Sequence, residues 1–304
     1  MLAPPHEPSS RPLLAVGAAG LAAAGVIAWL AQRGWRSSGN PRHDAAKACG
    51  AGAAILCLSV ALDSATEHYR ARFRNRVMIA GPCMALLGLG AAAYTLRRPH
   101  AANASLVRMA FAVVGLAGFV GAGFHAYNIL KRPGALSANN LFYGAPAGAP
   151  AALTLSGLYG VIAGELLSDS AYAAERLPRH LALLVAGSLA GTAAEAGLLH
   201  FRGAFQNPAM YAPVTIPPLA ALTIGATAAW PQAARIAEPL LKATAVLGIA
   251  GPMFHAYGIH RNMGGWRNWT QMILQGPPLP APPAFLGIAV VGLGLLPLLD
   301  GRGE

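Results

Sequence analysis

The sequence predicts an all-α integral membrane protein: an N-terminal helix followed by a parallel tandem duplication of a four-helix unit. Three observations predict it. Apolar runs of about 18 or more residues, the length that spans a bilayer as helix, recur along the chain. The 304 residues are 55% hydrophobic and only 11% charged, which is not the balance of a soluble enzyme. One passage also occurs twice. HYRARFRNRVM at 68–78 and HFRGAFQNPAM at 200–210 place His, an aromatic, Arg, Phe, Asn and Met in matching positions, offset by 132. Internal repeats fix an architecture, and in a membrane chain they point to the site.

Nine membrane helices are expected, near 13–32, 48–66, 77–96, 105–128, 150–167, 180–199, 213–230, 239–257 and 282–299. The first reads as a membrane helix rather than a cleaved leader, because little positive charge precedes it and the run is long. The other eight fall into two sets of four. Residues 1–47 then hold the N-terminal helix and a loop, 48–167 the first repeat, 168–179 a linker and 180–304 the second repeat. Each set has an even number of helices, so both enter the membrane from the same side, as a parallel repeat. Abundant Ala and Gly suit close helix packing in lipid. The loops after His125 and His255 are rich in Pro, Gly and aromatics and end in Pro146 with Pro150 and Pro278 with Pro282. Proline is tolerated at a helix mouth because its missing N–H is unpaired there anyway. Long loops in a compact protein more often serve function than arise by accident.

The net charge of +11 is spread over short loops, so the partner it implies is a lipid bilayer and not nucleic acid. Ten Arg and Lys lie on each side of the expected membrane, which leaves the plain count undecided. The first helix has one positive charge before it and four after it, which favours an N-terminus outside an inner membrane. Cys49, Cys57 and Cys83 lie in or beside apolar runs without a CxxC pair and read as small buried hydrophobes. No Walker loop, GxSxG or HExxH occurs, so the familiar hydrolase and nucleotide-driven classes lack their motifs.

The residues that draw chemistry are histidines. A second repeated pair, GFHAY at 123–127 and MFHAY at 253–257, is offset by 130. His68, His125, His200 and His255 stand at or near the ends of helices that all run in one direction. They therefore gather at one membrane face, two per unit, where a bundle can hold a ligand between them. Three uses fit: axial ligation of haem iron, binding of Zn, Cu or non-haem Fe, or proton relay. Arg70 and Arg202 would pair with haem propionates or another anionic group. Tyr69, Phe201, Phe124, Tyr127, Phe254 and Tyr257 would wall a flat cofactor. Interfacial His, Tyr and Arg also occur for amphipathic reasons alone, and duplication copies structural residues as faithfully as functional ones.

Asp63 and Glu195 stand five residues before His68 and His200. Ionisable groups in a membrane helix are expensive and face a partner or cavity. Five residues turn an ideal helix by about 140°, so each acid is expected to meet another helix and act as a proton relay or second layer behind the histidines. Arg108 and Lys242 are candidate partners, although they lie toward the opposite face.

This layout, with histidines on the second, fourth, sixth and eighth helices, resembles that of haem A synthase. There, paired histidines ligate haem with an acid close to one of them. The resemblance covers helices two to nine in outline, and Thr-Glu-His-Tyr-Arg at 66–70 stands where that family has its acid, His and Arg. In the second half the acid is Glu195 instead, and no cysteine stands in a loop on the histidine side. The leading expectation is an electron-transfer subunit holding haem b or a transition metal by His68 with His125 and His200 with His255. It would pass electrons between quinone and a partner dehydrogenase or other membrane subunit. Two rivals remain: a proton- or metal-coupled transporter using Asp63 and Glu195, and an assembly subunit that docks a partner through the 129–146 and 258–278 loops.

Overall fold

The computed structural model describes residues 38–168, 170–265, 268 and 274–299, and these contain helices and no strand. The expected helix at 13–32 lies outside the described residues. The other eight expected segments are all helical. In chain order they are α1 (Pro41–Arg70), α2 (Ala80–Arg97), α3 (Ala104–Leu130), a short α4 (Ala138–Tyr143) and α5 (Gly148–Leu166), then a short α6 (Ala171–Glu175), α7 (Leu177–Arg202), α8 (Ile216–Ala226), α9 (Ala234–Asn262) and α10 (Pro283–Leu299). Seven of these, counted with their opening 3-10 turns, are long and apolar enough to cross a bilayer, while α10 is a shorter apolar helix of 17 residues.

Local chemistry sets the helix starts. Asn40 accepts the amides of Arg42 and His43, Pro41 occupies the first position, and Asp44 lies in the first turn of α1. All three features suit a helix N-terminus. The segment expected at 213–230 is a shorter helix than its neighbours, preceded by a 3-10 turn over Pro208–Val214. Pro213, Pro217 and Pro218 explain this, since each removes an amide that a continuous helix would use.

The long helices form two closed rings. In the first, α1 packs on α2 and α5, and α3 packs on α2 and α5. In the second, α7 packs on α8 and α10, and α9 packs on α8 and α10. The rings meet chiefly where α10 lies along α1, with a Tyr159 hydroxyl donating to Ser188 Oγ (2.9 Å) between α5 and α7. One main core therefore runs through α1, α5, α7 and α10, from Ala46 and Leu56 through Tyr159 and Leu181 to Ile288 and Leu295. The outer helices α2, α3, α8 and α9 expose Leu86, Met109, Leu116, Phe119, Leu222 and Val246. Such apolar outer faces fit a lipid bilayer, where all backbone polar groups are satisfied within helices.

Within each ring the histidine-bearing helices are diagonal, α1 opposite α3 and α7 opposite α9. Two glycines let the later member approach its neighbour closely. A Cβ at Gly118 would collide with the backbone of Thr154 on α5, and one at Gly248 with the backbone of Leu286 on α10. Replacing Gly248 by Val is expected to lower stability by about 1–3 kcal/mol, the usual cost of forcing atoms into a packed contact. Thermal melting of the detergent-solubilised protein checks this, and an unchanged midpoint would show that α9 and α10 can separate freely.

Candidate functional site

The two copies of the repeated passage fold alike. After α1, Arg72 and Phe73 have φ of 56° and 44°, and after α7, Ala204 and Phe205 have φ of 55° and 46°. The Phe73 amide donates to the His68 carbonyl at 2.9 Å and the Phe205 amide to the His200 carbonyl at 3.1 Å. Two successive non-glycine residues in the left-handed region cost on the order of 1 kcal/mol each. The turn sets each phenyl edge-on against its histidine: Phe73 on His68 at 6.1 Å and 75°, Phe205 on His200 at 6.1 Å and 84° between ring planes.

The recurring Asn comes next. Asn75 accepts the Val77 amide (3.0 Å) and Asn207 the Ala209 amide (2.9 Å), and each opens a 3-10 turn, Arg76–Ile79 and Pro208–Val214. These turns return the chain to the histidine. His68 Nδ1 meets the Met78 carbonyl at 2.5 Å and His200 Nδ1 meets the Met210 carbonyl at 2.8 Å. His125 Nδ1 meets the Pro146 carbonyl at 2.8 Å, and His255 Nδ1 meets the Pro278 carbonyl at 2.9 Å.

A carbonyl only accepts, so each Nδ1 is the donor in its bond, and a neutral ring held this way has its lone pair on Nε2. This is the arrangement in which histidine ligates metal, one nitrogen bonded and the other donating to a carbonyl. His200 and His255 have ring centres 6.4 Å apart and planes at 72°. Two imidazoles on opposite sides of one metal, with bonds of about 2 Å, have centres roughly 6 Å apart. His68 and His125 lie within electrostatic range of each other. All four rings are half-buried.

The charged residues take partners that sequence spacing does not supply. Glu195 accepts the amide of Gly148, the first residue of α5, at 2.8 Å, so the carboxylate rests on a helix N-terminus. Asp63 lies in the fields of Glu67, Glu195 and Arg70. Arg108 instead pairs with Glu165 (2.7 Å) and Lys242 with Glu238 (2.7 Å). Arg70 donates to Glu67 (2.5 Å) and to the Gly276 carbonyl (2.9 Å). Arg202 is exposed, with its guanidinium 5.6 Å from the Phe142 ring and 5.8 Å from the Tyr143 ring.

The aromatics expected to wall a cofactor, Tyr69, Phe201, Phe124, Tyr127, Phe254 and Tyr257, are exposed. Phe124 and Tyr127 line a shallow outer groove with Val120 and Gly123, about 150° round α3 from His125. The phenyl rings set against His68 and His200 are those of Phe73 and Phe205, whose one sequence signal is recurrence at a fixed distance after His. Among the described residues no group of three or more His, Cys, Asp or Glu gathers as a metal site. A pair of imidazoles suits a cofactor that brings its own remaining donors better than it suits a bare ion.

Comparison of the chain with protein-family models, with curated proteins and with solved structures returns no match. Nitrogen-15 NMR of histidine-labelled protein, assigned with single His variants, should find the Nδ1–H tautomer at all four positions. An Nε2–H tautomer at His200 or His255 would contradict the ligand geometry.

Proposed function

We propose that this chain is a membrane electron-transfer protein. Each half holds one haem b, between His68 and His125 in the first and between His200 and His255 in the second. The observation that carries the reading is the His200–His255 pair: ring centres 6.4 Å apart and both Nδ1 atoms committed to carbonyls, which leaves Nε2 of each neutral ring as the ligating atom. A transition metal bound without a macrocycle is the lesser form of the proposal, because a third protein ligand is not found among the described residues.

Two axial histidines fill both open positions of a haem iron, which leaves electron transfer as the natural task. Arg70 and Arg202, two residues past the first histidine of each pair, are turned about 160° from it and are engaged by Glu67 and the Gly276 carbonyl and by the Phe142 and Tyr143 rings, so they are not proposed as partners of the cofactor's carboxylates. Asp63 and Glu195 stand one layer behind as candidate proton-relay groups. Quinone and a partner dehydrogenase or other membrane subunit are the proposed donor and acceptor. With the N-terminus outside an inner membrane, electrons would move along the outer face rather than across the bilayer. The matching turns, caps and histidine bonds of the two passages support a parallel tandem duplication, with halves at 48–167 and 180–304.

The test is a reduced-minus-oxidised visible spectrum of detergent-purified protein, with haem extraction and metal analysis on the same sample. Two haems b per chain are expected, falling to one in His255→Ala or in His125→Ala. A folded protein that is colourless and metal-free when purified with haem supplied would sink the reading and favour transport or assembly.

A further inference from the structure

The carbonyls that fix His125 and His255 sit in two short straps, 142–148 and 276–280, leading into α5 and toward α10. Each strap is held by the first helix of the other half. In the first strap, Phe142 meets Phe201 edge-on at 5.8 Å and 84°, and Phe142 and Tyr143 both face the Arg202 guanidinium. Two residues beyond Pro146, whose carbonyl takes the His125 Nδ1 hydrogen, the Gly148 amide is bound by Glu195. Glu195 and Arg202 belong to α7, so the strap is fastened to α7 on both sides of the carbonyl that serves His125.

The second strap repeats this with different atoms. Arg70 of α1 donates to the Gly276 carbonyl at 2.9 Å, and Ser59 of α1 donates to the Pro280 carbonyl at 2.5 Å. Between them lies Pro278, whose carbonyl takes the His255 Nδ1 hydrogen. Proline at 280 stands where the first half has Gly148 and offers no amide, so the acid Asp63 cannot repeat the Glu195 bond. Ser59, one turn earlier, reaches the carbonyl instead.

Helical geometry shows how one helix does both tasks. Glu195 and Arg202 are two turns apart, and Ser59 and Arg70 three turns apart, so each pair shares a face to within about 20°. That face is turned about 140° or more from the histidine of the same helix. Thus α7 offers His200 to its own half and grips the other half's strap with its far side, and α1 does likewise with His68.

We propose that Glu195 and Arg202 are positioning residues for His125, and that Ser59 and Arg70 are positioning residues for His255. Each histidine pair is then completed in trans by the opposite half. This rests on the reading of the histidine pairs as ligand sites.

The experiment uses full-length chains that keep one pair. His255→Ala keeps the first pair, and His125→Ala keeps the second. In the His255→Ala chain, Glu195→Leu should lose at least half of the remaining haem or turn its low-spin spectrum high-spin. Glu195→Gln, whose amide oxygen accepts the same bond, should restore it. In the His125→Ala chain, Glu195→Leu should leave haem content and spectrum unchanged, which also shows that the variant folds. Ser59→Ala combined with Arg70→Ala should give the mirror result, acting on the second pair alone. If Glu195→Leu impairs the second pair, both pairs equally, or neither, the proposal is overturned. If no parent chain binds haem, the electron-transfer reading fails separately. The His125 tautomer, read by nitrogen-15 NMR in Glu195→Leu and Glu195→Gln, then decides the positioning role: loss of the Nδ1–H form in Leu alone supports it, and no change refutes it.

Discussion

The bond from a histidine Nδ1–H to a backbone carbonyl is the constraint around which this molecule is arranged. It appears four times, and each time the chain has to bring a carbonyl to a ring near the end of a membrane-length helix. For His68 and His200 the carbonyl arrives by a left-handed double turn and an Asn-capped 3-10 turn. For His125 and His255 it arrives by a proline-bearing strap from a long loop. The strained backbone at Phe73 and Phe205 follows from this requirement, because a relaxed exit from the helix would carry Met78 and Met210 away from the rings. A neutral imidazole without a fixed acceptor can exchange tautomers. One tied to a carbonyl presents a single lone pair in a single direction.

Lipid explains where this polar work is done. Between the faces, α2, α3, α8 and α9 show apolar sides outward, and the main core is built of Ala, Leu, Val and Ile. Irregular backbone in the hydrocarbon would leave amides and carbonyls unpaired at several kcal/mol each. The turns, straps and histidines therefore collect at one end of the bundle. The ion pairs Arg108–Glu165 and Lys242–Glu238 lie toward the other end, which is why neither basic residue reaches Asp63 or Glu195.

Much of this was legible in the residues. The apolar runs placed eight of the described helices to within a few residues in most cases; 48–66 and 239–257 fell short of Pro41–Arg70 and Ala234–Asn262 at both ends, and 213–230 overran Ile216–Ala226, where Pro213, Pro217 and Pro218 starve the helix of donors. The repeat drew attention to His200 and His255, whose ring centres stand 6.4 Å apart, and the 140° argument sent Glu195 to another helix, where it meets the Gly148 amide. The contacts themselves were not legible. A 3.6-residue period says which side of α3 His125 occupies, but not that a proline carbonyl some 20 residues later returns to it, a separation set by tertiary packing. Tyr127 and Tyr257 looked like cofactor walls because they sit two residues from a histidine. On a helix that spacing turns a side chain roughly 200° away. Phe73 and Phe205 lie five residues past their histidines, and the left-handed turn folds them back onto the rings.

The two halves are alike in plan and unlike in detail, and the differences fall at their junction. Gly148 gives Glu195 an amide, whereas Pro280 gives none and is reached through its carbonyl by Ser59. Along the junction, α10 lies against α1 over much of its length, while α5 and α7 touch lightly and share a hydroxyl bond. Both straps have two anchors on the opposite half, by different atoms but about the same central carbonyl. Pulling the halves apart would release Pro146 and Pro278 together and free two of the four rings to turn. A tandem chain keeps the halves at high effective concentration, so each strap stays beside the opposite-half helix that anchors it.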